Sequence, residues 1–509
     1  MLGVSLKTGF RHPNPSLQFA WNSAQLGLLI FPLSPLLGAI GLGLALLVTW
    51  LRQYRTIIRR PLNWGFAFLS VLLIISASFA NDKTSAFLGL FNFLPFFLFF
   101  AAFSVLIQTT AQLRQLSWIL VLTSIPVVIM GLGQLFCGWA TTKQWESILG
   151  LAIAPGGNPQ GRMASIFMYA NILAGYLVIV FILALGLWLE ADRQFRRSSR
   201  RGRRLWGVGG RLGATGVGGQ GGQGGRLWGQ GGQGGQGKIS PLSSPSPLSS
   251  PSPLSSPSPL SSPSPLSSPS PPLPFLFLTV ATIADFVGLI LTNSRNAWAI
   301  AIFACLAYAL YQGWRILVAA VTSITTSVLL AAFAPEAIAQ LFRKVIPAYF
   351  WARLNDQMYA DRPIELMRKT QWDFAWSLAQ QRPWTGWGLR NFTDLYQAKM
   401  HIWLGHPHNF FLMLCAETGL PATILFCGLI SWILIAGTQV LKNSKLLEKE
   451  DRLIFFSYLV VLCGWVLFNT VDVTLFDLRL NTLSWLPISA ICGVVYHYDF
   501  RHRLKVKQN

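Results

Sequence analysis

Apolar runs of about 20 residues, the length a helix needs to cross a hydrocarbon core, recur along almost the whole of this chain and leave little choice of fold. Composition agrees. Of the 509 residues, 52% are hydrophobic and 11% charged, where a soluble domain carries roughly 25% charged residues. The chain reads as an all-α polytopic membrane protein with about twelve transmembrane helices, near residues 18–33, 34–51, 62–81, 86–107, 115–137, 166–189, 273–293, 296–313, 316–335, 409–438, 453–472 and 479–498. Pro32 and Pro35 break the first apolar stretch, which reads as two short spans or one re-entrant pair.

Lys7 and Arg11 precede that stretch without a small-x-small cleavage site, so the first span is expected to be retained. A cytoplasmic N-terminus puts the basic segments Arg52 to Arg60, Arg193 to Lys238, Lys442 to Arg452 and Arg501 to Lys507 on the cytoplasmic side. The positive-inside rule favours that orientation, and an even number of spans returns the C-terminus to the same side. The net charge of +22 is thus a topology signal. No basic region interleaved with base-stacking aromatics lies outside the spans and their flanks, which argues against a nucleic-acid partner. The six cysteines show no CxxC or His/Cys spacing, so neither a disulfide framework nor a metal centre is expected.

Residues 1–190 form the N-terminal membrane helices, with an outer loop at 138–165. An insert follows at 191–272, with an Arg-rich start (RQFRRSSRRGRR), Gly/Gln repeats and five copies of PLSSPS. None of these textures can bury an apolar core, so the insert is expected to be disordered, with its arginines close to anionic head groups. Further spans occupy 273–335, an extracytoplasmic loop domain 336–408, and C-terminal spans with a basic tail 409–509. The long loop is rich in tryptophan, has a helical pattern from Ile364 to Gln380, and carries excess positive charge. Positive charge on the outer face runs against the topology rule and points to an anionic ligand.

Three outer-facing arginines stand out: Arg162 in NPQGRMASIFMYAN, Arg295 in LTNSRNAW and Arg368 in MRKTQW. Singly, each reads as a snorkelling or interface arginine. Together near one membrane boundary, their planar, permanently charged forks suit a lipid-linked diphosphate. Arg368, Trp372 and Trp376 share one helix face, which lets the guanidinium lie against an indole. In HPHNFFLMLCAETGLP, Asn409 is a favoured helix N-cap and His408 stands just outside the helix, either as part of a polar cap or as a proton acceptor near neutral pH. Glu417 lies roughly opposite His408 around the helix and reads as a structural anchor, while Gly419 and Pro421 interrupt the helix. Asp285, mid-span, and Asp472 and Asp477, flanking the last turn between spans, are the other carboxylates to weigh; Asp285 alone would suit an ion path.

These pieces together resemble the O-antigen ligase and polymerase superfamily of bacterial envelope polysaccharide synthesis. The resemblance covers roughly residues 155 to 435 and rests on His408-Asn409 ahead of AETGLP, Arg368 before Trp372, RPWTGWG (Arg382 to Gly388), SRNAW and GRMASIFMYAN. The chain departs from the family pattern at Ala422 and in the repeat insert. The resemblance implies a lipid-donor glycosyltransferase of GT-C-like architecture in the bacterial plasma membrane, with a glycan on polyprenyl diphosphate as donor. The acceptor would be a hydroxyl of lipid A-core, of another glycan or of a protein. It further implies that Arg368, Arg295 and Arg162 contact the diphosphate, and that His408 takes the acceptor proton in an inverting displacement. Asn409, Trp372, Glu417 and Gly419 would support them, with no metal or other cofactor, and His406 would position or do nothing. Polymerases share all of these motifs. A branch of the superfamily in photosynthetic bacteria, linked to bicarbonate accumulation, resembles this chain in length and around RPWTGWG, which makes transport the alternative from a different class.

Overall fold

The computed structural model describes residues 9–141, 152–212, 273–355, 363–443 and 447–508. Among them every regular element is helical: α1 Gln18–Ile30, α2 Pro35–Ile58, α3 Pro61–Ser78, α4 Lys83–Gly89, α5 Leu94–Leu106, α6 Thr110–Phe136, α7 Ala170–Leu212, α8 Leu273–Leu291, α9 Arg295–Gln312, α10 Arg315–Phe333, α11 Glu336–Arg343, α12 Ala348–Leu354, α13 Arg368–Gln381, α14 Asn391–Met400, α15 Phe410–Lys442, α16 Arg452–Asn469 and α17 Leu478–Gln508. The boundaries follow local chemistry. Pro35 and Pro61 open α2 and α3 at positions where a missing N–H costs nothing. Thr109 and Gln112 close a reciprocal capping box at the start of α6.

Among the described residues, ten helical segments are long and apolar enough to cross a membrane, with α4 and α5 joined as one of them. The protein is an all-α polytopic membrane protein. Two of the twelve expected spans differ from the rest. The first is α1, which has 13 residues and at 1.5 Å per residue reaches only about 20 Å, short of a core of about 30 Å. It folds back on α2 as a hairpin, and Arg52 Nη1 donates to the Ser16 carbonyl at 2.7 Å. The other is α9, whose 18 residues include Arg295, Asn296 and Gln312 at the ends, which lowers its hydropathy, although it runs from Val471 at one end of the bundle to Arg193 at the other.

The chain divides into two units, Met1–Arg193 with Leu273–Asn509, and Gln194–Pro272. In the second, α7 continues through the Arg-rich start of the expected disordered insert as far as Leu212. Arginine is a good helix former and this segment holds no proline. The rest of the insert, 213–272, lies outside the described residues, as do 142–151 of the short loop and 356–362 of the long one.

In the first unit, Trp485 of α17 meets Phe66, Phe97, Phe100 and Phe426 edge-on, knitting α3, α5, α15 and α17 into one core. At one end of the bundle Arg114 of α6 holds Glu190 of α7 at 2.7 Å and Asp451 before α16 at 3.1 Å. The opposite end carries the candidate site. There Gln134 near the end of α6 accepts the Ala164 and Ser165 amides at 3.0 and 2.7 Å and donates to the Ala154 carbonyl at 2.8 Å, which fixes the loop that bears Arg162. The long loop folds into helices of its own. The expected helix over Ile364 to Gln380 is realised as a 3-10 turn, Ile364–Leu366, an extended Met367, and then α13. Phe374, Leu378, Phe392 and Tyr396 of α13 and α14 form a small core with Ala416 of α15.

Candidate functional site

Asn409 caps α15 by accepting the Leu412 amide at 3.0 Å, and the residue before it, His408, takes a left-handed conformation (φ 52°) that histidine tolerates better than most side chains. The His408 amide donates to His406 Nδ1 at 3.2 Å. This bend turns the His408 ring away from α15 and toward the turn between α16 and α17. There its Nδ1 stands 3.4 Å from Asp472 Oδ1, with the His408 side chain 28% exposed and that of Asp472 8%.

Asp472 is held from three sides. The Val473 amide donates to Oδ1 at 2.9 Å, Asn171 Nδ2 donates to Oδ2 at 3.2 Å, and His408 faces Oδ1. Burial pushes this carboxyl up, but the His408 contact, the charges of the two imidazoles and the Val473 amide outweigh it, so that Asp472 titrates below the usual carboxylate range. Asn171 in turn accepts from Arg162 Nη2 at 2.6 Å, and Arg162 Nε donates to the Thr292 carbonyl at 2.9 Å. One polar chain therefore runs Arg162, Asn171, Asp472, His408. It borders a cavity of about 230 Å³ lined by Tyr169, Asn171, His406, His408, Asp472 and Phe476, among others.

None of the three arginines is among the residues that line the cavity. Arg295 is the first residue of α9, directly after the α8–α9 turn that Arg162 grips, and its neighbour Asn296 donates to the Val471 carbonyl at 3.4 Å. Arg368 opens α13, and its charge reaches His406. Burial first, then the charge on His408, then Arg368 push the His406 imidazole down to about 4, with Asp472 opposing. Trp372 is half-buried one turn beyond Arg368, and its Nε1 has no hydrogen-bond partner among the described residues. Glu417 does not join the cavity. It is buried in α15, and Oε1 accepts the Phe392 amide at 3.3 Å, so it ties α15 to α14. Gly419 is the one non-helical residue inside α15 (φ 80°, ψ 169°).

The family comparison bears on this geometry. Residues 279–427 match a family model described as O-antigen ligase. Over this segment the chain is similar to the O-antigen ligase family, which supports that superfamily. No curated protein matches the sequence. The ligase-family match takes in Arg295, Arg368 and His408; Arg162 lies before it and Asp472 after it. The candidate site therefore also draws on segments outside the match, the loop before α7 and the turn between α16 and α17.

Sequence reading does not single out Asn171 or Arg479, and it leaves Asp472 without a role. Asn171 closes the same GRMASIFMYAN stretch that supplied Arg162, so its proximity in sequence was a usable signal. In the sequence Asp472 stands only as one of two carboxylates in the last turn between spans. Arg479, buried beside them, donates from Nη1 to the Ile166 carbonyl at 2.9 Å and lies 4.0 Å over the Phe167 ring; nothing local in the sequence marks it.

Proposed function

We propose that this protein is an O-antigen ligase-like glycosyltransferase that moves a glycan from a polyprenyl diphosphate donor to an acceptor hydroxyl at the outer face of a bacterial plasma membrane. The observation that carries this reading is the chain from Arg162 through Asn171 and Asp472 to His408 beside a cavity at one end of the spans. Ionised Asp472 favours the His408 tautomer with its proton on Nδ1, which leaves Nε2 to accept the acceptor's hydroxyl proton. The freed oxygen attacks the anomeric carbon from the face opposite the diphosphate, and configuration inverts. Arg162, Arg295 and Arg368 offset the charge that develops on the departing diphosphate. The acceptor, whether lipid A-core, a growing glycan or a protein, separates ligase from polymerase and is read from the product.

Transport of the bicarbonate-accumulation type would use a discontinuous helix whose free carbonyls line an ion path. α15 is discontinuous at Gly419, but its freed carbonyls are taken up. That of Ala416 accepts from Trp387 N at 3.0 Å, and that of Glu417 accepts from Gly388 N at 2.8 Å and Ser76 Oγ at 3.1 Å. This weighs toward the enzyme.

The test is transfer of a polyprenyl diphosphate-linked glycan to candidate acceptors in membranes containing the full chain. Asp472→Asn is expected to slow transfer on the order of 10- to 100-fold with little change in donor KM, the size of effect that follows loss of a group orienting a functional histidine. Equal loss through KM alone would remove Asp472 from this role. Uptake of labelled bicarbonate into proteoliposomes without any glycan donor would overturn the enzyme reading.

A further inference from the structure

His406 has no part in the proton transfer proposed above, yet it is built into the same cavity wall. Its ring stacks on Phe476 with centroids 5.8 Å apart and planes at 18°, and meets the His408 ring edge-on with centroids 4.5 Å apart. One donor atom each from His406, His408 and Asp472 lie within 4.8 Å of one another. His408 Nδ1 and Asp472 Oδ1 are 3.4 Å apart, close to the edge of about 3.3 Å between ligands of a tetrahedral ion bonded at 2.0–2.1 Å. Two imidazoles and one carboxylate are a ligand set suited to zinc-like ions and ill suited to magnesium or calcium, which prefer all-oxygen shells. The outer shell is also present. Asn171 fixes Asp472 Oδ2 at 3.2 Å and Phe476 fixes the plane of His406, while the cavity supplies an open fourth position and a route in. The facing charges are Asp477, which lines the cavity and pairs with Arg479 at 3.6 Å, and two cations, Arg368, which acts on His406, and Arg162, which reaches Asp472 through Asn171. The two arginines oppose a dication, which makes the site weaker and more reversible than a dedicated zinc centre.

We propose that His406, His408 and Asp472 form a reversible site for a zinc-type divalent ion, and that its occupation withdraws His408 from proton transfer and inhibits the protein. The inhibitory half rests on the role given to His408 above; the binding half does not. No local motif marks it, because the two histidines are next-but-one neighbours while the carboxylate lies 64 residues away.

The experiment uses the full chain in lipid nanodiscs with Co2+ as a spectroscopic probe. One equivalent of Co2+ is expected to give intense tetrahedral ligand-field bands that one equivalent of Zn2+ abolishes. His406→Ala and Asp472→Ala are each expected to weaken binding 10- to 100-fold, with His406→Gln as a volume-conserving companion and the thermal unfolding midpoint as the check on folding. His401→Ala and Cys137→Ser serve as controls and should leave the bands unchanged. Absence of binding, or wild-type bands in both His406 variants and in Asp472→Ala, overturns the site. In the transfer assay Zn2+ is expected to inhibit the wild type and to be reversed by a chelator, with at least tenfold more Zn2+ needed in His406→Gln. Stoichiometric Zn2+ binding without inhibition overturns the inhibitory half. If His408→Ala keeps full transfer, the base assignment fails while the cobalt spectrum still reports on the metal site, so the two failures are separable.

Discussion

His408→Ala is expected to lower glycan transfer by about 10²- to 10⁴-fold, the usual contribution of a general base, with donor binding largely retained. The geometry behind this is specific. The His408 ring is partly exposed toward the cavity and its Nδ1 faces the buried Asp472, so one nitrogen is committed and the other is available. A bare alanine test has a weakness, since His408 sits at φ 52°, where alanine is strained and asparagine is better tolerated. His408→Asn therefore removes the base while keeping the bend and the Asn409 cap. Both variants should lose transfer, and His408→Asn should keep a wild-type unfolding midpoint. A His408→Asn protein that retains more than a tenth of the wild-type rate would show that the proton goes elsewhere.

The second large effect is on stability. Gly419→Ala is expected to destabilise the protein on the order of 3–5 kcal/mol, combining a backbone conformation essentially limited to glycine with overpacking. At φ 80° and ψ 169° the chain leaves the helix for one residue, and a Cβ there would sit 2.5 Å from the Trp384 carbonyl oxygen. The break is cross-linked to the RPWTGWG loop. Pro421 has no N–H to give the Glu417 carbonyl, so Gly388 and Ser76 supply it, and Leu420 N, freed from the helix, donates to the Pro383 carbonyl at 2.7 Å. Gly386 approaches from the other side, where an added Cβ would lie 2.4 Å from the Glu417 carbonyl carbon. Neither backbone can yield without breaking these bonds. Gly428→Ala, in the same helix with nothing within 4 Å of its added Cβ, should instead be neutral or stabilise by up to about 1 kcal/mol. Thermal unfolding of the two variants, with limited proteolysis of the loop after Arg382, checks the contrast. Equal midpoints would mean that the break in α15 carries no structural burden.

Much of this was legible along the chain because it is set by near neighbours. Apolar run length gave the spans, and Asn409 announced the start of α15. Gly419 and Pro421 announced its interruption, and RPWTGWG marked itself as unusual without revealing that its amides serve the break. Ten of the twelve expected spans have the length and hydropathy of a crossing helix among the described residues; α1 is short because the chain turns back at Pro32 and Pro35, and α9 has polar ends. The Arg-rich start of the insert is helical for the same reason in reverse: composition marked it as unable to form a core, and a helix continued from α7 needs none.

What the sequence by itself determined is the membrane class, the cap and break of α15, and the short list containing His408 and the three arginines, since each depends on residue type and spacing over a few turns. What only the tertiary structure decided is which of them lie together. Asp472 lies 64 residues from His408, and Asn171 lies 301 residues from Asp472. Nothing in local propensity relates such positions. They meet because antiparallel spans return the chain repeatedly to the same end of the bundle, where polar groups that would be costly in hydrocarbon find one another. That return also sorted the candidates, placing His408 beside the cavity and turning Glu417 away to brace α14.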